Sequence, residues 1–203
     1  MAVRSGTVLH VGSGTQRIAE VHPAFAAAHW REIRVDADPA TAPDIVGSIT
    51  DLAPVADESA NAVFSSHSLE HVFPHEVPVA LKEFLRVMRP DGFLLITCPD
   101  LQEVCRLVAE DKLTDAAYVS PAGPIAPIDM LYGHRASLVS GNAFMAHRCG
   151  FTAKVLLATL QAAGFASVVV TRRPGAYSLW ALATKCQIAS EDAMQLTREF
   201  FPG

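Results

Sequence analysis

The chain has 203 residues, of which 50% are hydrophobic and 18% are charged, and its formal net charge is -5. This size and composition predict one compact domain over residues 1–203, and the acidic balance argues against general binding to nucleic acid or anionic membranes. The four cysteines form no C-x-x-C pair, and no apolar run approaches the roughly 20 residues of a membrane-spanning helix. Glycines interrupt the short apolar run near the N-terminus, so a signal peptide is not expected. We therefore expect a cytoplasmic protein with reduced thiols and no membrane insertion.

The first half of the chain alternates short apolar runs with helical segments. Residues 16–29 are rich in alanine and predict a helix after the first strand. A second helix is predicted over 75–88, where apolar residues recur at offsets of 4, 7, 8 and 11 from Val77. The RPDG run at 89–92 is typical of a turn that ends this helix, and residues 101–110 predict another helix. Strands are predicted at 6–11, 31–39, 44–48, 61–66 and 93–99.

The second half begins with a segment, about 114–150, that is rich in glycine, proline and alanine and has no regular period. We interpret it as a loop-rich insertion or lid. A helix is predicted over 151–165, with Thr152 as its N-cap and Gly164 at its C-terminal end. Strands at 167–173 and 178–185 and a short terminal helix complete the chain. Strands that alternate with helices predict an α/β fold with a doubly wound, mostly parallel sheet of seven strands, in which the insertion precedes the last helix-strand units.

A glycine turn follows the first predicted strand, and an acidic residue ends the second. Gly12 and Gly14 in HVGSGTQ let the backbone approach a ligand closely, and Asp36, 22 residues after Gly14, is placed to accept both hydroxyls of a ribose. The alternative is an ordinary βα turn beside a solvated acid. A dinucleotide site requires a third glycine, but this chain continues with TQR after Gly14. The pattern therefore favours a nucleoside cofactor without phosphates, S-adenosylmethionine, over NAD.

Six segments of the chain occur in an order that is typical of one enzyme family. They are VLHVGSGT, VDADP, DIVGSITDL, SSHSLEHV, LKEFLRVMRPDGFLLITCPD and FTAKVLLATLQAAGF. With these segments, which span most of residues 8–165, the chain resembles class I S-adenosylmethionine-dependent methyltransferases of the type 11 methyltransferase-domain family. The fifth segment is the most specific, because it combines a helix, a Pro-x-Gly turn and an apolar strand. The resemblance implies a Rossmann-like methyltransferase sheet, methyl transfer as the activity and S-adenosyl-L-methionine as the cofactor.

The resemblance also implies a set of cofactor-binding residues. They are Gly12, Ser13, Gly14, Asp36, Ala37, Ser48, Ile49, Ser66 and His67. The glycine turn, Ser66 and His67 would lie on the methionine side, Asp36 would hold the ribose, and the remaining residues would lie beside the adenine. His10 stands where the family usually has an acid, and Ser48 where it often has Asp. His10 is interpreted as orienting the loop or, through a water, the cofactor's ammonium group.

The HSLEH segment, with His67, Glu70 and His71, also fits the zinc-binding pattern of some peptidases. That alternative requires His67 and His71 on one face of a stable helix and a third ligand elsewhere. Pro74 follows within two turns and leaves little rigid support, so the methyltransferase interpretation is preferred and no metal is expected. Glu70 and His71 are then predicted to tie the turn after the fourth strand to its neighbours by buried hydrogen bonds.

Three histidines are the candidate catalytic residues. A base is needed only when the methyl acceptor must lose a proton, and a histidine with a pKa of roughly 6.5 suits that role. His67 follows the fourth strand, whereas His134 and His147 belong to the insertion, which also contributes Tyr132 and Arg148 as candidate contacts.

The acceptor is predicted to be a small molecule or a sugar- or lipid-linked intermediate, bound by a monomer or a homodimer. No Asn/Asp-Pro-Pro-Tyr run follows the fourth strand, which argues against a nucleic-acid base as the acceptor. Asp100, followed by Glu103, is interpreted as a helix N-cap box rather than a substrate contact. The alternatives are a non-catalytic cofactor-binding protein, an NAD-dependent oxidoreductase and a zinc hydrolase.

Overall fold

The fold is described from a computed structural model that covers residues 5–26 and 29–202. Its strands are β1 (Gly6–Val11), β2 (Trp30–Asp36), β3 (Ile45–Val46), β4 (Ala60–Ser66), β5 (Met88–Pro99), β6 (Tyr118–Ser120), β7 (Gly123–Ile125), β8 (Ser167–Arg173) and β9 (Ser178–Thr184). Its helices are α1 (Ile18–Val21), α2 (Val77–Val87), α3 (Leu101–Ala109), α4 (Pro127–Tyr132), α5 (Arg135–Val139), α6 (Ala153–Ala163) and α7 (Ser190–Phe200).

Within the described residues, seven of these strands form one sheet in the order β3-β2-β1-β4-β5-β9-β8. The first five run parallel, and β9 runs antiparallel to both β5 and β8. The chain order reverses between β1 and β4, where an open α/β sheet forms its ligand crevice at the carboxyl ends of the strands. The predicted mostly parallel, seven-stranded α/β fold is confirmed.

Apolar side chains cover both faces of the sheet. On one face, α2 and α6 bury Leu81, Phe84 and Leu160 against the strands, as the helical period in the sequence predicted. The other face carries an aromatic cluster that includes Phe64 and Phe200, packed under α1 and α7. Because both faces are covered, residues 62–64 of β4 and residues 93–96 of β5 are apolar without alternation.

The predicted helix over 16–29 is wrong in length. It comprises only α1 and a single 3-10 turn at Pro23–Phe25, and residues 27 and 28 lie outside the described part. His22, between the two pieces, has an extended backbone, and Pro23 has no N–H to continue a helical ladder. The missing N–H of Pro23 therefore interrupts the helix that the alanine-rich composition predicted.

The start of β5 also differs from the prediction. The strand begins at Met88 and includes the RPDG run at 89–92, which was predicted to form a turn. Met88 pairs with Ala60 and Phe93 with Ala62, so residues 88–93 of β5 lie opposite only residues 60–62 of β4. The extra residues form an irregularity in the ladder and do not end the strand.

The insertion has more regular structure than its sequence suggested. The predicted segment 114–150 contains the β6-β7 hairpin, α4, α5 and a 3-10 turn at Ala143–Met145. Ile125 and Met130 pack with Val104 of α3 in a small separate core, so the insertion rests on the sheet's own helices. It lies beside the carboxyl ends of the strands and covers the candidate site.

The predicted caps of α6 are confirmed. Thr152 Oγ1 accepts a hydrogen bond from the Val155 N–H at 3.4 Å, and Gly164 has a φ of 107°, which favours glycine. None of the helices in the described residues has the length and apolar character that crossing a bilayer requires.

Candidate functional site

The glycine turn after β1 is shaped by close packing. Gly12 has a φ of 63° and Gly14 a φ of 56°, both in the left-handed region. A Cβ atom on Gly12 would overlap the side chain of Ser68, whereas one on Gly14 would meet nothing within 4 Å. Gly12 is therefore required by the neighbouring loop, and Gly14 leaves open space beside the backbone.

Asp36 joins the ends of β1 and β2. Its Oδ2 accepts a hydrogen bond from the Gly14 N–H at 2.7 Å, and its Oδ1 accepts one from the Asp38 N–H at 2.8 Å. Each carboxylate oxygen retains a second lone pair for a ligand hydroxyl. The carboxylate thus organises the loop and still has acceptor capacity beside it.

Arg34 is a residue of this site that sequence reasoning missed. Its guanidinium is buried and donates to the backbone carbonyl oxygens of Gly14, Thr41 and Ala42. It precedes Asp36 by two residues, so both side chains lie on the same face of β2. The sequence signal for it was an arginine two residues before the acid at the end of β2. Its guanidinium holds the glycine turn against the loop after β2.

A cavity of about 360 Å³, here called the crevice, opens over β1, β2 and β3. Of the predicted cofactor residues, it is lined by Gly12, Gly14, Asp36, Ala37, Ser48, Ile49 and His67. Ser13 is buried in the turn, and Ser66 faces a different cavity. The insertion closes the crevice with Asn142, Phe144, Met145 and Arg148.

His10 does not line the crevice. Its Nδ1 lies 2.9 Å from Glu32 Oε1, which also accepts a hydrogen bond from the Ile18 N–H at the start of α1. Burial lowers the pKa of His10, although the hydrogen bond with Glu32 opposes that shift. His10 therefore supports the turn from beneath by holding Glu32 and α1.

A second cavity of about 550 Å³, here called the chamber, lies over β4, β5 and β9 under the insertion. Its polar lining includes Ser66, Thr97 and Asp129, and Tyr177 and Trp180 contribute aromatic surface. The predicted catalytic residues His67, His134 and His147 all line it. The crevice and the chamber share His67, His71 and Met145, so these residues mark the junction of the two cavities.

His67 has a strained backbone at this junction. Its φ is 48°, which is uncommon for a residue with a side chain and typical of functional sites. Its side chain is 52% exposed, and its Nδ1 lies 3.2 Å from Oε1 of Glu70, which is almost fully buried. Partial desolvation of the ring acts to lower the pKa of His67, but the hydrogen bond and the charge of Glu70 outweigh it and raise that pKa.

The geometry that the zinc-peptidase alternative requires of HSLEH is absent from this part of the structure. Only Leu69–His71 is helical, as a single 3-10 turn, and His67 precedes it in the left-handed region. His67 and His71 therefore do not share a helix face, and the alternative of a helical zinc-peptidase motif is wrong. The expectation that Glu70 and His71 are hydrogen-bonded is confirmed for Glu70 Oε1 and for His71 Nδ1, which lies 3.1 Å from the Ala146 oxygen.

The histidines of the insertion occupy different positions. His147 Nδ1 lies 2.9 Å from the Met130 oxygen, and its ring centroid is 4.9 Å from that of His71. Burial lowers the pKa of His147, which favours the neutral imidazole. His134 Nδ1 lies 2.8 Å from Ser137 Oγ at the start of α5. The tertiary fold thus brings His147, but not His134, against the HSLEH turn.

The remaining candidate residues, Tyr132, Arg148 and Asp100, lie in three different environments. The Tyr132 side chain is exposed and lines neither cavity, whereas Arg148 lines the crevice and its guanidinium lies 4.8 Å from the Phe73 ring centroid. Asp100 is the N-cap of α3 as predicted, because its Oδ1 accepts from the Gln102 N–H at 3.1 Å. The second hydrogen bond of the predicted capping box, from the Asp100 N–H to the Glu103 side chain, is wrong. Glu103 Oε1 accepts instead from the Gly175 N–H.

Known proteins resemble the chain in sequence and in fold. Residues 9–96 match the family described as a methyltransferase domain. Among curated proteins, none matches the chain in sequence.

Several solved structures share the fold. The CMeT domain of the citrinin polyketide synthase is 15% identical with a TM-score of 0.60, over 92% of this chain and 48% of that one, so this chain spans about half its length. A Burkholderia thailandensis 1,6-didemethyltoxoflavin-N1-methyltransferase, with bound 1,6-didemethyltoxoflavin and S-adenosylhomocysteine, is 18% identical with a TM-score of 0.56 over 91% of this chain and 72% of that one. A Thermotoga maritima protein described as a possible histamine N-methyltransferase is 18% identical with a TM-score of 0.57, over 90% and 83% of the two chains. At these identities the likeness is one of fold.

Proposed function

We propose that this chain, whose residues 9–96 match the family described as a methyltransferase domain, is an S-adenosylmethionine-dependent methyltransferase that methylates a small-molecule acceptor. The observation that carries the proposal is the meeting of the crevice and the chamber at His67, His71 and Met145. Methyl transfer is an in-line displacement, so cofactor and acceptor must approach one point from opposite sides. Two cavities that share three wall residues support that arrangement.

S-adenosyl-L-methionine is the cofactor assigned to the crevice, and when bound it supplies an electrophilic methyl group. The cavity volume of about 360 Å³ fits a ligand of this class. Asp36 would accept the ribose hydroxyls with its remaining lone pairs, and Ser48 would hydrogen-bond the adenine. Ala37 and Ile49 would flank the adenine ring, while the open space at Gly14 admits the methionine part.

His67 is the proposed catalytic base. Glu70 accepts from its Nδ1, which leaves Nε2 as the basic nitrogen. When the acceptor attacks through an O–H or N–H group, its lone pair would form the bond to the methyl carbon as the methyl–sulfur bond breaks and S-adenosylhomocysteine leaves, and its proton would pass to His67. His134 and His147 line the chamber and would contact the acceptor from the insertion side.

The lining of the chamber supports a small acceptor with an apolar or aromatic body. Tyr118, Tyr177 and Trp180 supply flat surfaces, and the polar groups near His67 would orient a reactive atom. The fold-related Burkholderia enzyme, which holds 1,6-didemethyltoxoflavin, provides a precedent for such a pair of ligands. A lipid- or sugar-linked acceptor is the second candidate, favoured by the exposed apolar Val119 and Val139 on the insertion. The free cysteines support a reducing, cytoplasmic location.

The test combines binding with an acceptor screen. Calorimetry with S-adenosylmethionine and S-adenosylhomocysteine is expected to give saturable binding, and NAD is expected to give no shift in melting temperature. Incubation with labelled cofactor and a metabolite mixture is then expected to transfer label to a small molecule. Binding without transfer to any acceptor would favour a non-catalytic cofactor-binding protein, and transfer to bulk RNA or protein would overturn the acceptor class.

A further inference from the structure

Glu70, His71 and His147 come together at the junction of the two cavities, and we infer that they bind one divalent transition-metal ion. One ligand atom from each residue lies within 4.8 Å of the other two. Donor atoms that share a tetrahedral zinc ion at bond lengths of roughly 2.0–2.2 Å are about 3.4 Å apart. Small rotations of the side chains therefore suffice to bring all three onto one ion.

The backbone contacts of the two imidazoles leave one ring nitrogen of each free to bind a metal. His71 places Nδ1 on the Ala146 oxygen at 3.1 Å, and His147 places Nδ1 on the Met130 oxygen at 2.9 Å. A carbonyl only accepts, so each Nδ1 carries the proton and each Nε2 keeps its lone pair. Histidines that bind metals almost always donate their second ring N–H to such a partner, which fixes the tautomer and the ring.

Glu70 supplies an independent observation. Its side chain is 1% exposed, its Oε1 accepts from His67, and its Oε2 is buried without a hydrogen-bond partner. A buried carboxylate oxygen left unpaired is costly, and a cation is one group that compensates it. The unpartnered oxygen belongs to the same residue that lies within reach of both histidines.

Backbone hydrogen bonds hold the three residues in place. The Glu70 carbonyl oxygen accepts from the Arg148 N–H at 2.8 Å and from the Cys149 N–H at 3.2 Å. The His147 N–H donates to the Tyr132 oxygen. The HSLEH turn and the end of the insertion are thus joined directly beside the cluster, which preorganises the ligands.

The ligand set selects a class of metal. Two imidazoles and one carboxylate suit zinc, iron, manganese or cobalt, whereas calcium and magnesium prefer oxygen ligands alone. With three protein ligands, the ion retains open positions, and His71 and His147 both line the chamber. No metal was expected from the sequence, because Pro74 leaves the HSLEH segment without a stable helix and the segment fits the methyltransferase family. His147, which comes from a distant segment, completes the cluster.

The role assigned to the ion rests on the proposed function. It would bind the acceptor's oxygen or nitrogen through an open position and favour loss of the acceptor proton, which passes to His67. His67 touches Glu70, so the base and the metal site share one carboxylate. The net reaction is unchanged, because the ion neither gains nor loses electrons.

The experiment uses the full chain, freed of metal with a chelator and titrated with zinc alone by calorimetry. One zinc per chain is expected, with magnesium giving no comparable heat. Glu70→Gln, His71→Gln and His147→Gln are each expected to weaken zinc binding more than tenfold. His75→Gln, at an exposed histidine outside the cluster, is the matched control and is expected to bind zinc normally. Equal zinc affinity in all four variants, or no binding by the parent chain, would overturn the site.

Two further measurements locate the ion and separate the metal site from the proposed function. If a ligand variant fails to fold, as judged by circular dichroism, anomalous diffraction of the zinc-loaded parent chain locates the ion directly, and an ion elsewhere overturns the assignment. Calorimetry with S-adenosylmethionine on the same samples separates the two proposals, because cofactor binding without zinc binding rejects only the metal site. Zinc binding without cofactor binding rejects only the proposed function. Transfer activity that survives chelation would overturn the role in acceptor activation.

Discussion

The carboxylate of Asp36 accepts a hydrogen bond from the Gly14 N–H at 2.7 Å, so the ends of β1 and β2 are joined by one side chain. Arg34 donates to the carbonyl oxygen of the same glycine from below. The turn is therefore held between an anion and a cation that both come from β2. This pairing explains how a turn with two left-handed glycines keeps one conformation beside a ligand crevice.

Asp36→Ala is expected to weaken binding of S-adenosylmethionine by about 1–3 kcal/mol, because it removes the ribose acceptors and the bond to Gly14. Isothermal calorimetry measures the change. Asp91→Ala changes an exposed acid near the amino end of β5 and is the control. This variant is expected to bind the cofactor as the parent chain does. Unchanged affinity in the Asp36 variant would remove this residue from the cofactor site.

Gly12→Ala is expected to destabilise the fold by about 2–5 kcal/mol, since the new Cβ adds overlap with Ser68 to the cost of a left-handed residue. Gly14→Ala shares the positive φ but meets nothing within 4 Å, so it is expected to cost only about 1 kcal/mol. Urea unfolding gives both free energies. Similar losses in the two variants would contradict the close packing of the β1 turn on Ser68.

Stability is expected to fall as the pH is lowered from about 7.5 to about 5, partly because of His22. Burial lowers the pKa of His22, although its hydrogen bond with the Phe200 oxygen at 2.7 Å opposes that shift. The unfolded chain therefore binds a proton near its ordinary pKa, while the folded protein binds it only at lower pH. The unfolded state holds more protons in this range, so the free energy of unfolding rises with pH and is lost as pH falls.

His22→Gln removes this contribution and is expected to flatten the pH dependence of the free energy of unfolding. Urea unfolding at a series of pH values measures the slope, and the exposed His75→Gln serves as the control. Parallel curves for the parent chain and His22→Gln would show that this imidazole does not couple to folding.

His67→Asn is expected to lower kcat by about 10²–10⁴-fold for an acceptor that must lose a proton. Asparagine is chosen because it tolerates the left-handed backbone that His67 adopts, so the loop is retained. Cofactor affinity, measured by calorimetry, is expected to change little. A variant with full turnover on such an acceptor would exclude His67 as the base, and His75→Asn controls for loss of a nearby histidine.

Local sequence patterns predicted the architecture and the position of the glycine turn beside Asp36. The caps of α6 and the N-cap at Asp100 depend on residues within a few positions of each other, so capping chemistry was sufficient to predict them. The glycine turn and Asp36 could be paired because parallel strands in this fold end at one edge of the sheet. The same logic failed where proline shortened the helix at α1 and where β5 included the RPDG run.

Only the tertiary structure decided what the HSLEH segment does. Its sequence allowed a zinc helix, a structural turn or a base, and these alternatives differ in long-range contacts that no spacing encodes. The fold places His147 from the insertion beside Glu70 and His71, leaves Glu70 Oε2 unpartnered and turns His67 toward both cavities. Burial and proximity arise from the packing of segments far apart in the chain, and these two quantities determine which polar groups can act together.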